Sequence, residues 1–464
     1  MISNRVTELV RLQSFSVSAA ALAFAFVACG GSVANHAQSD GGSSGVEEAS
    51  VAVDSGGNTV RDSGSAVQEA TTEAAVEAGP DTGGPSSVYP AFPVDAPQVK
   101  DNGGPTLAAP VIVTVTWSTD PDANSYDAFD DAIGASTYWH TINGEYGVGP
   151  AMGGTANHVS ITTAPPATLA DTALDTMVST NVGTSWPADT PNTIYVVYLP
   201  PGLSFTYLGQ DICSQAGGYH TETQTGNITY AVLPHCGWSQ ASDIEYSASH
   251  ELNEAATDPH PATNPAYYGF DDAHFAMTFF NQFQTELGDA CEFFSEASDS
   301  TDMPPYTVQR QWSNKSAAAG HDWCVPLLGE PMYGTTMLAS SKQDVISVSL
   351  QGTPITSKGF KLALNESRTF PIGFFSDQPT SGPWTIDVQG GAGEALPFDG
   401  QGNTVPNGMV TVTLDRTSGV NGEVANVTIT PTAYSSFNII YFEIRSVLTG
   451  AQQHHYLPIL ISQN

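Results

Sequence analysis

From Tyr89 onward the chain alternates between apolar runs and polar breaks, and the period of those runs changes along its length. PVIVTVTW (110–117) is a continuous β-branched run bounded by proline and by Ser-Thr-Asp, the pattern of a buried strand. NTIYVVYLPPG (192–202) and NITYAVLP (227–234) predict two more. Between the first two strands, YDAFDDAIGASTYWHTI (126–142) carries apolar residues at helical spacing and reads as one helix. PATLADTALDTMVSTNV (166–182) reads as a second. ASDIEYSASHELNEAAT (241–257) reads as a long third helix, closed at Asp258-Pro259 because proline drives the preceding residue out of helical geometry. Strands interleaved with helices predict a layered α/β (α+β) domain over residues 89–328.

Near Gly329 the pattern shortens. DVISVSL, FKLAL, RTFPIGFF, WTIDVQG, GMVTVTL, VANVTITP, NIIYFEIRSV and YLPILIS are short alternating segments separated by turn residues. Their spacing predicts an all-β, Ig-like sandwich domain over 329–464. It carries no chemistry-bearing motif, so a spacer, stabiliser or wall-contact role is expected.

The first 88 residues follow neither pattern. SVSAAALAFAFVA, with Arg5 and Arg11 ahead of it, is too short to span a bilayer and has the form of an export signal. Its ending, FVAC-G, resembles a bacterial lipobox, so residues 1–29 read as a lipoprotein signal peptide and Cys29 as the lipidated residue. Residues 30–88 are an acidic Gly/Ser/Ala-rich stretch with almost nothing to build a core from, and read as a disordered linker. The expectation is an exported protein, lipid-anchored at the bacterial cell envelope or outer surface.

Charge narrows the partners. Among 464 residues, 12 are Lys or Arg against 47 Asp or Glu, a formal net charge of -35. A surface this acidic excludes nucleic acid, whose phosphates need a basic counter-surface. It also excludes docking on anionic lipid through charge, leaving the lipid anchor as the membrane contact. Of five cysteines, Cys29 is taken by the lipobox, leaving Cys213, Cys236, Cys291 and Cys324. An even number in an exported chain implies two disulfides. Three pairings exist. Cys213–Cys236 and Cys291–Cys324 are preferred because each closes a short local loop around the motif region.

That motif is SASHELNEAATDPHP (247–261). It begins as the zinc-protease signature H-E-x-x-H, but Glu254 stands where the second histidine belongs. Residues four apart share a helical face, so His250 and Glu254 can hold one ion with Glu251 beside it as general base. A carboxylate ligand is compatible with zinc, weakens its Lewis acidity, and also admits calcium or manganese. The third ligand stays open between His260, at the metzincin-like offset, and Glu286 or Asp289 in TELGDACEF. His220 and His274 are more distant candidates. The plain alternative is a histidine paired with a glutamate on a solvated helix face. Trp238, Tyr267, Tyr268 and Trp312 are candidates to line a sugar or peptide cleft, against a role in the core.

CSQAGGYHTE, ITYAVLPHCGW, SASHELNEAATDP, ELGDAC and WCVPL, in that order, resemble the phosphate-induced/Exordium-like secreted family. The resemblance spans about residues 105–326 and is concentrated in 211–293. It implies an extracellular, wall-associated protein with cysteines at matching places. The chain departs from the family in NPAYYGFDDAHFAMTFFNQFQ, where a short segment is usual. The function expected is a cell-surface zinc-dependent metallohydrolase with a zincin-like HExxE helix, acting on peptide or protein. The alternative is a non-catalytic binding or adhesion module of Exordium-like type, with a structural ion and a cell-wall polysaccharide partner.

Overall fold

The structure is a computed structural model, and it describes residues 83–236, 241–281, 285–292, 294, 297–299, 301–350, 353–390, 409–433 and 438–463. The signal segment, Cys29, most of the 30–88 stretch and Trp238 lie outside the described residues.

A five-stranded sheet organises the first half, in the order His158–Ile161, Val111–Trp117, Thr193–Tyr198, Thr229–Leu233, Tyr219–Glu222. The first four run parallel and the last is antiparallel. Side chains alternate across the sheet, and both faces are covered. Ile112, Ile194, Val196 and Ala231 pack under the motif helix at Ala248, Leu252 and Ala255. Val113, Val115, Val197 and Val232 pack on Leu174 and Val178 of the helix on the opposite side. A parallel sheet covered on both faces favours near-continuous apolar and β-branched residues, which is why these strands read as long runs with buried threonines such as Thr114 and Thr116 among them.

Two sequence expectations change. The stretch 126–142 is two helices, Ala123–Ile133 and Thr137–Asn143. They part at Gly134, where a Cβ would sit 2.2 Å from the Ala151 carbonyl oxygen. Ser136 then caps the second helix by accepting from Trp139 N. The stretch 166–182 opens with a strand, Thr168–Ala170, paired in parallel with Ser204–Tyr207, before the helix Asp171–Asn181. That pairing partner lies over thirty residues away, so local periodicity does not reveal it. The motif helix, Ala241–Thr257, has the expected bounds.

The second half is two packed sheets. One has the order Tyr333–Met337, Arg368–Ser376, Val424–Pro431, Val410–Leu414. The other runs Asp344–Leu350, Thr353–Leu362, His454–Gln463, Ile439–Val447, Trp384–Gly390, Ser418–Gly419. Phe370, Phe374 and Val427 from the first sheet meet Phe360, Trp384 and Phe442 from the second in one core. Phe360–Leu362, the start of FKLAL, end a ten-residue strand and pair in parallel with Ile461–Gln463.

The halves are joined by packing. Phe279 stacks on Tyr441 at 5.5 Å and Phe280 packs on Tyr456 at 4.9 Å. The aromatic stretch that departs from the family pattern therefore supplies part of the junction. Trp312 is a core residue against Phe270 and Trp323, and Tyr267 packs edge-on to Tyr146. The end of the expected linker is also docked, because the Asn421 amide donates to the Ser86 and Val88 carbonyls.

Both disulfides pair as preferred, Cys213–Cys236 and Cys291–Cys324. Two such bonds suit an oxidising, extracytoplasmic environment. No helix among the described residues is long and apolar enough to cross a membrane.

Candidate metal centre

Three segments converge on the motif helix. The edge strand Tyr219–Glu222 brings His220, the segment 285–289 brings Glu286 and Asp289, and Val308–Gln309 brings Gln309. The disulfide at Cys291 ties the Glu286–Asp289 segment to the strand Cys324–Val325.

The histidine tautomers follow from their partners. The Gln309 side-chain amide donates to the Gly288 carbonyl at 2.7 Å, so its oxygen is the atom facing His250 Nδ1 at 2.9 Å. Nδ1 must therefore donate, and Nε2 is the nitrogen left free in the neutral ring. That nitrogen lies 3.1 Å from Glu254 Oε2 and 3.6 Å from Asp289 Oδ1. His220 Nε2 is bound in the same way to the Asp258 carbonyl at 3.0 Å, leaving its Nδ1 3.5 Å from Glu254 Oε2 and 3.6 Å from Glu251 Oε2.

Glu254 is the hub. Its Oε1 accepts from Gly288 N at 3.0 Å and Asp289 N at 3.1 Å, which turns Oε2 toward both histidines. The close approach requires glycine at 288, since a Cβ there would lie 2.7 Å from His250 Nδ1 and 2.8 Å from Glu254 Oε1. Gly218 plays the same part at Glu251, whose Oε1 a Cβ would approach to 2.8 Å.

The electrostatics are those of a buried charge cluster. Burial opposes protonation of His250, but Glu254, Glu251 and Asp289 outweigh it and hold the ring well above the ordinary histidine range. Burial likewise opposes charge on His220 and is outweighed by Glu286, Glu251 and Glu254. Burial disfavours ionised Glu254 too, yet the two histidines hold it well below the carboxylate range. Glu286 and Asp289 are pushed up, first by burial and then by the neighbouring carboxylates.

The residues present fit a divalent cation. His250, Glu254 and Asp289 offer ligand atoms all within 4.8 Å of one another, and so do His220, Glu254 and Glu286. Glu286 Oε1 is buried without a hydrogen-bond donor. A ring oriented by an amide, a carboxylate oriented by two backbone N–H groups and a free ring nitrogen between them form the kind of supported ligand set that metal sites use. The imidazole and carboxylate donors suit zinc or manganese. Ion binding would release the histidine protons.

His260 joins neither group. Thr257, which stands where a metzincin-like bend has glycine, continues the helix with its hydroxyl bonded to the Asn253 carbonyl at 2.8 Å, so the chain has not turned back by residue 260. His274 is engaged elsewhere, with Asp271 and Asp95. His220, a minor candidate in the sequence, is in the cluster. Gln309 carries no sequence signal, since QRQW resembles any polar strand.

Comparisons add little to this geometry. No protein-family profile matches the chain, and no curated protein does. Among solved structures, the titin M3 domain is similar at 8% identity and a TM-score of 0.16, over 29% of this chain and 96% of that one. Domains 4 and 5 of the S-layer protein SbsC are similar at 11% identity and a TM-score of 0.15, over 33% and 90%. A family 123 glycoside hydrolase from Clostridium perfringens is similar at 9% identity and a TM-score of 0.17, over 29% and 27%. Likeness at this level carries no inference about activity.

Proposed function

We propose that the protein is an exported metal-dependent hydrolase, acting on peptide bonds, whose ion is held by His250, Glu254 and Asp289. The observation that carries this reading is the orientation of His250. Its Nδ1 is committed to Gln309, and its free Nε2 faces the two carboxylate oxygens. An ordinary surface pair does not need a buried amide to set the tautomer.

When bound, zinc would supply a Lewis acid for the scissile carbonyl and lower the pKa of water. The remaining work falls to the chain. Glu251, buried one residue round the helix from His250, accepts a proton from the attacking water and returns it to the leaving amine. His220 Nδ1 lies 3.6 Å from Glu251 Oε2 and, when the ring is protonated, pairs with that carboxylate electrostatically. Export is supported by the two disulfides, anchoring by the lipobox-like Cys29, and wall association by the resemblance to the Exordium-like family.

Glu251→Gln keeps the shape and removes the base. Peptidase turnover of the metal-loaded protein should fall by roughly 10²–10⁴-fold while metal content stays the same. Undiminished turnover in that variant rejects the role of Glu251. The second reading, a binding module with a structural ion, has its own support in burial: the His250 and Asp289 side chains are each 13% exposed and Glu254 3%. It predicts retained ion, no turnover in the native protein, and binding to wall polysaccharide.

A further inference from the structure

Glu254 Oε2 faces two histidines, and each belongs to a different ligand group. The group described above takes His250 and Asp289. The other takes His220 and Glu286 on a different strand and loop. Metal–ligand bonds to zinc run about 2.0–2.2 Å, and the ligand atoms of each group, all within 4.8 Å of one another, can converge on an ion of their own as the side chains close in.

We infer that the site holds two divalent ions, the second taken by His220, Glu254 and Glu286, with the Glu254 carboxylate shared between them. The inference rests on the hydrolase reading for its first ion and extends it.

Independent support comes from polar atoms next to the second group. Asp258 is fully buried, its carbonyl takes the His220 N–H, and its Oδ2 has no partner. Its carboxyl interacts electrostatically with His220 and Glu254. Glu286 Oε1, 3.4 Å from His220 Nε2, also lacks a hydrogen-bond donor. Buried carboxylate oxygens without donors are costly, and a cation at His220 and Glu286 answers that cost where no protein donor does. Sharing one carboxylate between two ions also accounts for the rigid seating of Glu254. Its Oε1 is fully used by two backbone N–H groups, and Oε2 alone faces the ligands. Paired ions are a recurring arrangement in hydrolases, where one orients the nucleophile and the other the leaving group.

The test is metal stoichiometry on the full chain, loaded with zinc alone and exhaustively exchanged. Two ions per chain are expected, falling to one in Glu286→Gln and in His220→Ala. Manganese-loaded protein should show an exchange-coupled spin pair by electron paramagnetic resonance, and Glu286→Gln should replace it with an isolated ion. Glu286→Gln is nearly isosteric, so it carries the test if His220→Ala does not fold. One zinc per chain at saturation, unchanged by Glu286→Gln, overturns the second position and leaves the hydrolase reading standing. No zinc in the native chain overturns both.

Discussion

Buried histidines behave in opposite ways in the two halves of the molecule. In the α/β half, His220 and His250 sit among carboxylates that overcome burial and keep the rings protonated. In the β half, His455 is also buried, packed edge-on to Tyr333 at 5.0 Å with Nε2 unpartnered. Burial drives its pKa down to about 4, with Asp322 opposing and Arg310 and His454 reinforcing. Burial is the same first-order penalty in both places. What differs is how much opposite charge is within reach: Asp322 alone for His455, several carboxylates for His220 and His250. One half concentrates buried charge, which is expensive without a ligand to organise it. The other keeps charge pairs such as Arg445–Asp387 toward the surface.

The largest test of this contrast is Glu254→Ala. Removing the carboxylate leaves two buried histidines short of their shared partner, and breaking a buried pair costs about 3–5 kcal/mol. Denaturant unfolding should show that loss in the metal-free protein, and bound zinc should disappear. An unchanged midpoint together with retained zinc would mean that Glu254 is not the hub.

Next in size is the acid limb of stability. The folded His455 titrates near 4, below the ordinary value of 6.5. Its contribution is therefore fully present above about pH 6.5. As pH falls from there toward 4, the unfolded chain takes up a proton that the folded chain refuses, and stability drops by about 3 kcal/mol at most. His455→Leu should flatten that limb in urea titrations across pH 4–7. A limb of unchanged steepness would show that other groups cause it.

Gln309→Leu is the finest probe. It frees the His250 ring without touching a ligand, and loss of such an orienting partner weakens metal binding by about 10–100-fold. Zinc competition against a chelator measures it directly. Wild-type affinity in Gln309→Leu would show that the tautomer needs no support.

Much of this is legible in the sequence. The runs 110–117 and 192–202 are strands because a sheet covered on both faces favours near-continuous apolar and β-branched residues. The Asp258-Pro259 step ends the motif helix where expected, and the local cysteine loops pair as their spacing favoured. What misled the reading was whatever depended on distant backbone. The split helix at Gly134 answers to Ala151, and the strand at Thr168 answers to Ser204.

The same division runs through the site. His250, Glu251 and Glu254 can be named from sequence because helical spacing is a local property. That Asp289 and Glu286, rather than His260, lie beside Glu254 and the histidines depends on where a loop returns, and spacing holds no information about that. His220 and Gln309 enter from strands on separate stretches of chain, and the glycines at 218 and 288 are required only because carboxylate and imidazole atoms press against them. The sequence by itself determined which helix carries His250, Glu251 and Glu254 and which kind of compartment the cysteines suit. Tertiary structure alone decided which atoms meet there, because ligand geometry is set by contacts between segments that local pattern does not relate.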